Sequence, residues 1–192
     1  MKNFFRSMAF ALAVIASSAV FAAETPSFNN VTVTYQSTDF QVDDADGFAV
    51  GFSKTLGDTL FVKGDFSRAN ANFADADVFR LGAGVRFDFA NNASAYGEAY
   101  ALRANVEYDN LTGLRDLETW GYGVEGGARV KIASAFELRG GVATERLTRN
   151  SEWTTYGLVG ATLNITNSFA IVGDARIHDD ANQYNLGLQY QF

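Results

Sequence analysis

Strict alternation of apolar and polar residues recurs along most of the chain and predicts β-strands. The clearest example is the segment 118–132, in which Glu125, Arg129 and Lys131 belong to the polar series. The apolar or small series of this segment is Trp120, Tyr122, Val124, Gly126, Ala128, Val130 and Ile132. Because a strand sends successive side chains to opposite faces, one face of this strand is apolar and the other is polar.

The same period of two predicts ten strands over the whole chain. They span 28–37, 47–56, 59–68, 77–89, 94–108, 118–132, 135–146, 152–165, 168–178 and 183–192. Most of them have the length that a tilted strand needs to cross a membrane. Very short connections alternate with longer polar ones, which is typical of tight periplasmic turns and longer outer loops. The longer connections are 38–46, 69–76, 109–117, 147–151 and 179–182.

Charged residues of both signs occupy the polar face in the middle of these strands. A soluble sandwich or lipocalin-like barrel also alternates, but its apolar face points inward to fill a core. An apolar exterior around an interior of Arg, Glu and Gly suits lipid, where a closed barrel leaves no unpaired backbone edge. We therefore predict an all-β fold, a closed antiparallel transmembrane β-barrel of ten strands with both termini periplasmic. Eight strands are the alternative, because segment 28–37 alternates convincingly only at Val31, Val33 and Tyr35.

The predicted facing places similar numbers of positive and negative side chains in the lumen. Buried charges are tolerable only when they are paired, so we expect paired side chains to fill the barrel. We predict that Arg80, Arg86, Arg129 and Arg139 pair with Glu125, Glu137, Glu145 and Asp174. The complete predicted lumen set adds Lys63, Lys131, Arg176, Asp65, Asp88 and Glu98.

The facing of segment 94–108 stays open at this point. Tyr96, Glu98 and Tyr100 form one alternating series, and it competes with a series of small residues such as Ala95 and Ala99. A β-bulge could switch the phase partway along the strand.

The first residues have the layout of a secretory signal peptide. Lys2 and Arg6 precede an apolar run over 8–16, and mostly small residues occupy 17–22. The run is too short to cross the ~30 Å hydrocarbon layer as a helix. We predict a signal peptide over residues 1–22 and an outer-membrane β-barrel domain over 23–192, with cleavage after Ala22.

Composition narrows the classes further. The chain has 18 Gly, 17 Phe and 8 Tyr but no Cys, so neither disulfides nor Cys-ligated metals can stabilise it. The formal charge of −7 becomes −9 once Lys2 and Arg6 are removed, which argues against nucleic acid as a partner. No later stretch has the eighteen apolar residues that a spanning helix needs.

The carboxyl end carries the most specific resemblance. Its alternating apolar residues are Tyr184, Leu186, Leu188, Tyr190 and Phe192. This resembles the terminal strand of bacterial outer-membrane proteins, which the barrel-assembly machinery reads. Residues 23–192 as a whole resemble the small "porin family" barrels of the outer-membrane β-barrel domain group, which includes outer membrane protein X and the membrane domain of outer membrane protein A.

The resemblance implies partners and a location more than an activity. The location is the outer membrane of a Gram-negative bacterium, reached by export. The implied partners are outer-membrane lipid and lipopolysaccharide, periplasmic chaperones, and the barrel-assembly machinery through the strand that ends at Phe192. The barrel is expected to be a monomer without cofactors.

The single histidine, His178, precedes Asp179 and Asp180. Lipid A deacylases of the outer membrane have a His shortly before a nucleophilic Ser in the terminal hairpin, and here Asp180 stands where that Ser would be. A carboxylate cannot form the acyl-enzyme that Ser forms with a His base. The resemblance to deacylases therefore fails at the decisive residue.

Omptin proteases are ten-stranded barrels in which a His-Asp pair faces an Asp pair across the mouth. Asp43, Asp44 and Asp46 could face His178, but omptins have much longer strands and loops. The run 43–47 is faintly similar to a calcium loop, yet it lacks the later Glu of an EF-hand. We expect no enzyme activity and no catalytic, cofactor-binding or metal-binding residues.

Three classes of function are compatible with the pattern. The first is a structural or surface-interaction barrel with a largely filled polar lumen. The second is a narrow passive porin-like channel for small solutes, because ten strands enclose more space than eight. The third is an outer-membrane hydrolase of the omptin or lipid A deacylase kind.

Overall fold

A single antiparallel sheet closes on itself to form a barrel of ten strands. The structure is a computed structural model that describes residues 25–40, 44–72, 74–108, 116–149 and 152–192. The strands are β1 (Asn30–Phe40), β2 (Asp44–Leu56), β3 (Leu60–Asn70), β4 (Ala74–Ala90), β5 (Ala93–Tyr108), β6 (Leu117–Ala133), β7 (Phe136–Leu147), β8 (Thr154–Asn164), β9 (Phe169–Ile177) and β10 (Ala181–Gln191). Each strand pairs with its neighbours in sequence, and β1 pairs with β10.

The pairing of β1 with β10 confirms ten strands and excludes the eight-stranded alternative. The ladder runs from Asn30 opposite Gln191 to Phe40 opposite Ala181. The first strand is therefore a full member of the sheet, although its sequence pattern is weak. The predicted signal peptide, 1–22, lies outside the described residues. Within the described part of the chain, no helix is long and apolar enough to cross a membrane.

The two ends of the barrel differ in their connections. At one end, which we call the turn end, short turns join the strands, and Gly57 adopts a positive φ of 74° in one of them. At the other end, which we call the loop end, the strands are longer than predicted. β1 reaches Phe40 and β2 already begins at Asp44, so most of the predicted loop 38–46 is strand. Backbone pairing continues there because hydrogen bonds do not require an apolar face.

Side-chain exposure separates an outer apolar face from an inner polar one. On β6, Trp120, Tyr122 and Val124 are exposed, whereas Thr119 and Glu125 are buried. Large exposed hydrophobic side chains recur on the outer face of the other strands in the same way. This arrangement confirms the predicted orientation, with the apolar series outside and the charged series inside.

The structure also determines the facing of β5. Glu98, Tyr100 and Leu102 are buried in the lumen, and Ala99 and Ala101 face outward. The ladder between β5 and β6 has no register shift within it, so no bulge changes the phase of the strand. The register shifts that do occur lie at the turn end, between Asp88 and Ala90 and between Lys131 and Ala133.

The barrel is taller on one side than on the other. Strands β4, β5 and β6 have 17, 16 and 17 residues, whereas β8, β9 and β10 have 11, 9 and 11. We call the loop-end extension the raised wall; it comprises 68–70, 74–78, 103–108 and 117–119. Its outward side chains are charged or amide side chains rather than apolar ones, and Arg68 lies 3.2 Å from Asp75 and 3.8 Å from Asp77.

The assignment of the two faces can be tested on β6. Val124 is 50% exposed on the outer face, so Val124→Arg should destabilise the barrel by about 2–4 kcal/mol near the bilayer midplane. Gly127 faces the lumen, where a Cβ would lie 2.6 Å from the Gly140 carbonyl oxygen and 2.9 Å from the Tyr96 hydroxyl. A large side chain at Gly127 should therefore also destabilise the barrel. Urea unfolding in lipid vesicles measures both, and tolerance of both changes would contradict the assignment.

Candidate functional site

The lumen contains a set of ion pairs, most of them with a buried carboxylate, that we call the charge network. Lys63 Nζ lies 2.8 Å from Glu98 Oε1 and 3.5 Å from Glu125 Oε1. These residues belong to β3, β5 and β6. Because strands β3 and β6 are not neighbours in the sheet, the pair between them crosses the lumen.

A second part of the network is centred on Glu145. Arg80 on β4 lies 3.6 Å from Glu145 on β7 and 3.3 Å from Asp65 on β3. The hydroxyls of Tyr100 and Tyr156 donate hydrogen bonds to the Glu145 carboxylate at 3.2 and 2.8 Å. One buried carboxylate therefore joins residues from β4, β5, β7 and β8.

Two further pairs complete the charge network. Arg139 Nη2 lies 2.6 Å from Asp174 Oδ2, which connects β7 with β9, and Arg129 Nη2 lies 2.6 Å from Glu137 Oε1. Asn185 on β10 also donates a hydrogen bond to Asp174 at 3.0 Å. The network thus extends across the lumen from β3 to β9.

Most of the predicted partners of the arginines are confirmed. Arg80, Arg129 and Arg139 each pair with a carboxylate of the predicted set. The prediction was wrong for Arg86, which lies 3.3 Å from Asp88, two residues further along its own strand. Two residues apart on a strand, these side chains lie on the same face, so the nearest carboxylate is a local one.

Residues 25–29 lie at the turn end of the lumen, before the first strand; we call them the plug. Pro26 is less than 2% exposed and Phe28 is 4% exposed. The Phe28 ring lies 5.0 Å from the Phe61 ring and 6.0 Å from the Tyr96 ring, measured between centroids. Phe28 was predicted to begin the first strand, but the strand begins at Asn30.

The guanidinium groups of Arg129 and Arg86 and the side chain of Asn29 hold the plug in place. The guanidinium of Arg129 lies 4.5 Å from the centroid of the Phe28 ring, and that of Arg86 lies 5.6 Å from it. Such cation–π contacts are strongest where water is excluded. The Asn29 side-chain oxygen also accepts hydrogen bonds from the backbone N–H and the hydroxyl of Thr55, both at 2.8 Å.

The part of the lumen formed by β1, β2 and β10 carries no charged side chains along the cavity; we call it the neutral side. Its residues are Thr32, Thr34, Gln36, Ala49, Gly51, Gly187 and Gln189. A cavity of about 180 Å³ separates the neutral side from the charge network. It begins at Phe28 near the turn end and reaches Gln36 and Gln183 towards the loop end.

The residues that were considered for catalysis lie at the loop end. The Nδ1 atom of His178 accepts a hydrogen bond from the backbone N–H of Asp180 at 3.1 Å, and its ring centroid lies 5.6 Å from that of Tyr156. Strands β10 and β1 separate His178 from the strand that carries Asp44 and Asp46. Asp43 lies outside the described residues. Within the described segments, no group of three or more His, Asp or Glu residues has the arrangement of a metal site.

Sequence reasoning missed the plug and the neutral side. The plug depends on contacts between distant residues, which no local pattern encodes. The neutral side did have a sequence signal, because Thr32, Thr34 and Gln36 occupy the polar series of β1 where other strands have charges.

Comparison with known proteins agrees with this architecture. A family model described as the outer membrane protein beta-barrel domain matches residues 8–192. None of the curated proteins that were compared matches the sequence. Among solved structures, the NanC porin is similar with a TM-score of 0.57 and 8% identity, over 84% of this chain and 100% of that chain.

Two other solved barrels are similar over a comparable share of the chain. The KdgM porin has a TM-score of 0.51 and 11% identity, over 84% of this chain and 99% of that chain. The N-terminal β-barrel domain of Pseudomonas aeruginosa OprF has a TM-score of 0.47 and 11% identity, over 85% of this chain and 98% of that chain. At these identities the similarity concerns the fold alone.

Proposed function

This chain belongs to the outer membrane protein beta-barrel domain family. We propose that it is a non-conducting barrel with a structural or surface-interaction role. The observation that carries the proposal is the charge network. Its pairs connect strands that are not neighbours, such as Lys63 with Glu125 and Arg80 with Glu145. Side chains that meet in the middle of the lumen occupy the path that hydrated ions would need.

The energetics of buried ion pairs support a persistent closure. Removing one partner of a buried pair typically costs about 3–5 kcal/mol, because the other charge stays buried without compensation. A passing ion would have to displace several of these partners at once. The plug adds a second obstruction, since the buried Phe28 ring packs on Phe61 and Tyr96 at the turn end.

The loop end supports the surface-interaction part of the proposal. Outer-membrane barrels expose their longer loops to the outside and their short turns to the periplasm. With that orientation, both chain ends of the barrel are periplasmic and the raised wall projects outward. Its outward-facing charges, among them Arg68, Asp75 and Asp77, are suited to polar contacts with molecules at the cell surface.

A narrow passive channel for small solutes is the second candidate, and the cavity along the neutral side favours it. We rank it second because the buried Phe28 ring is among the residues that line this cavity and packs on Phe61 and Tyr96. Similarity to solved porins does not change this ranking, since it concerns the fold.

Conductance distinguishes the two candidates. Purified, folded protein inserted into planar lipid bilayers should give no stable ion conductance above that of the bare membrane. Folding before insertion can be checked on gels, where a closed barrel changes its migration only after heating. Long-lived conductance steps from the unmodified protein would refute the non-conducting barrel and favour the channel.

We also propose that the barrel-assembly machinery recognises the terminal strand, with lipopolysaccharide, outer-membrane lipid and periplasmic chaperones as the other partners of a monomeric barrel. Phe192 is exposed, and its backbone N–H donates a hydrogen bond to the Asn29 carbonyl at 3.3 Å. Deleting Phe192 should lower the amount of assembled barrel in cells but leave refolding of the purified chain into detergent unchanged. Immunoblots of outer-membrane fractions measure the first effect.

Phe89→Ala is the matched control for the terminal residue. Phe89 is another exposed aromatic at the turn end, and it lies far from the terminal strand. Its removal should lower the assembled amount much less than deletion of Phe192. Equal losses in the two variants would mean that Phe192 acts as a membrane anchor and not as a recognition signal.

A further inference from the structure

We propose that the outer face of strands β5 to β8 binds the lipid A part of lipopolysaccharide near the loop end, at a surface that we call the outer patch. The outer patch consists of Arg103, Trp120, Tyr122, Arg146 and Trp153. The inference rests on the proposed function, because it takes the loop end to face outward, and it deepens the lipopolysaccharide contact proposed above into a defined site.

Arg146 is a cation without a partner among the described residues. It follows the buried Glu145 on β7, so its side chain points outward. Within the described segments it forms no ion pair and no side-chain hydrogen bond. A guanidinium offers five hydrogen-bond donors in a planar fork that matches a phosphate group. Arg146 is therefore available to an anion from outside the protein.

Arg103 is the second cation of the outer patch. It follows the buried Leu102 on β5 and so also points outward. Its Nε atom donates a hydrogen bond to Glu118 at 2.9 Å, which leaves the two terminal nitrogens of the guanidinium for another acceptor. Because an exposed ion pair contributes little to stability, a phosphate can share this guanidinium with Glu118 at little cost.

The separation of the two arginines suits a ligand with two phosphates. Arg103 lies opposite Trp120 on β6, and Arg146 lies opposite Tyr122 on the same strand. Two strand spacings and two residues therefore separate their Cα atoms, which is about 12 Å on a regular sheet. Lipid A carries a phosphate at each end of a disaccharide, whereas most phospholipids carry a single phosphate. This spacing favours lipid A over a phospholipid.

Both tryptophans of the chain belong to the outer patch. Trp120 and Trp153 are 55% and 49% exposed. The Trp153 ring packs edge-on against the Tyr122 ring at 5.5 Å between centroids, and the Arg103 guanidinium lies 5.9 Å from the centroid of the Trp120 ring. Tryptophan prefers the boundary between the hydrocarbon and the headgroups. The aromatic rings therefore place both arginines at the depth of the lipid phosphates.

The distribution of charge at the loop end directs an anion to this face. The outward side chains near the loop ends of β1, β2 and β4 are carboxylates: Asp39, Asp44, Asp46, Asp75 and Asp77. Arg68 lies among them and is already paired with two of these carboxylates. A phosphate would be repelled there, whereas Arg103 and Arg146 attract it.

Small residues form a shallow depression in the outer face below the outer patch. The outward series of β5 that follows Arg103 towards the turn end is Ala101, Ala99 and Gly97, and Gly97 lies opposite Gly126 on β6. A Cβ on Gly97 or Gly126 would have only a backbone oxygen within 4 Å, at 3.9 and 3.7 Å, so no side chain covers either glycine. The series from Arg103 to Gly97 is about 20 Å of strand, which is long enough to hold an acyl chain.

Tryptophan fluorescence measures binding at the outer patch, because both tryptophans belong to it. Purified, folded protein in phosphatidylcholine nanodiscs should show a saturable change of emission as the fraction of diphosphorylated lipid A is raised. Monophosphorylated lipid A should need a severalfold higher fraction, since one arginine then lacks its phosphate. Equal midpoints for diphosphorylated lipid A and phosphatidylglycerol would overturn lipid A as the ligand and assign the patch to anionic phospholipid.

Arg146→Gln should raise the half-saturating fraction of lipid A about tenfold, the effect of losing a hydrogen bond to a charged group. Lys54→Gln is the matched control, because Lys54 follows the buried Ser53 and also faces outward, but near the turn end. It should leave the midpoint unchanged. An unchanged midpoint in Arg146→Gln, or an equal shift in both variants, would refute the site.

Gly126→Leu tests the depression independently of charge. It should weaken lipid A binding severalfold, because leucine fills the space that an acyl chain would occupy. Gly173→Leu adds the same side chain to the outer face of β9, where a Cβ also has an ordinary contact distance of 3.8 Å. Gly173→Leu should not alter binding. Equally tight binding by the two variants would overturn the acyl-chain contact.

Failure of this site can be distinguished from failure of the proposed function. A barrel that conducts ions but binds lipid A through Arg146 would refute the non-conducting barrel and support the site. A non-conducting barrel whose fluorescence does not respond to lipid A would refute the site alone. A signal that rises with the number of protein copies in each nanodisc, and not with lipid A, would assign the face to a second copy and overturn the proposal.

Discussion

Glu137→Gln should destabilise the barrel by about 3–5 kcal/mol, the typical cost of leaving one partner of a buried ion pair uncompensated. Glu137 is 3% exposed, and its Oε1 atom accepts a hydrogen bond from Arg129 Nε at 2.7 Å and lies 2.6 Å from Arg129 Nη2. Glutamine keeps an acceptor oxygen but removes the negative charge. The loss therefore reports the buried charge of Arg129, measured as the shift of the urea unfolding midpoint in lipid vesicles.

The control for this prediction is another Arg-Glu pair in the same barrel. Arg103 and Glu118 lie 2.9 Å apart on the raised wall, and each side chain is 51% exposed. Exposed pairs typically contribute about 0–1 kcal/mol, so Glu118→Gln should change stability little. If Glu137→Gln cost no more than Glu118→Gln, the charge network would not be the rigid filling that we propose.

Gly187→Val should prevent the barrel from closing. A Cβ at Gly187 would overlap the carbonyl oxygen of Val33 on the neighbouring strand. The clash falls in the ladder between β1 and β10, which joins the two ends of the sheet. We expect a loss of more than about 3 kcal/mol, the upper end of ordinary overpacking, because backbone atoms cannot move aside as side chains do. The measurement is the loss of the heat-modifiable band on gels.

Gly173→Val is the matched control for Gly187→Val. The nearest atoms to a Cβ at Gly173 are the Asn185 carbonyl oxygen and Leu186 Cδ1, both at 3.8 Å. That separation is an ordinary contact distance, and the substitution adds the same side chain to the adjacent strand. Gly173→Val should fold normally. Folding of Gly187→Val at the same level would show that the strands can separate enough to admit a side chain.

Local alternation was sufficient to predict the number of strands and the facing of most of them. On β6 the alternation of Tyr122 and Val124 with Glu125 determines both faces, because strand geometry converts sequence parity into direction. The pattern was insufficient for β5, where alanines and tyrosines are both compatible with lipid. There the ladder with β6 and the burial of Glu98 decide the facing.

The candidate site was only partly predictable from the sequence. The lumen charges could be named, because each belongs to the polar series of its strand. Partners across the lumen depend on the closure of the barrel, and Arg86 shows how a nearby carboxylate, Asp88, can replace the predicted partner. The plug was missed because no local pattern shows that the Phe28 ring packs on Phe61 of β3 and Tyr96 of β5.

The unequal strand lengths also determine how the molecule meets its surroundings. Five residues of β4, from Ala74 to Val78, extend beyond the outermost aromatic, Phe79, which corresponds to about 16 Å of strand. With the loop end outward, a large molecule such as an antibody or a bacteriophage fibre would contact the raised wall before it reached the mouth of the barrel. On the side of the short strands β8 to β10, the same molecule could approach the lipid surface closely. With this orientation, antibodies raised against intact cells should bind mainly to epitopes on the raised wall.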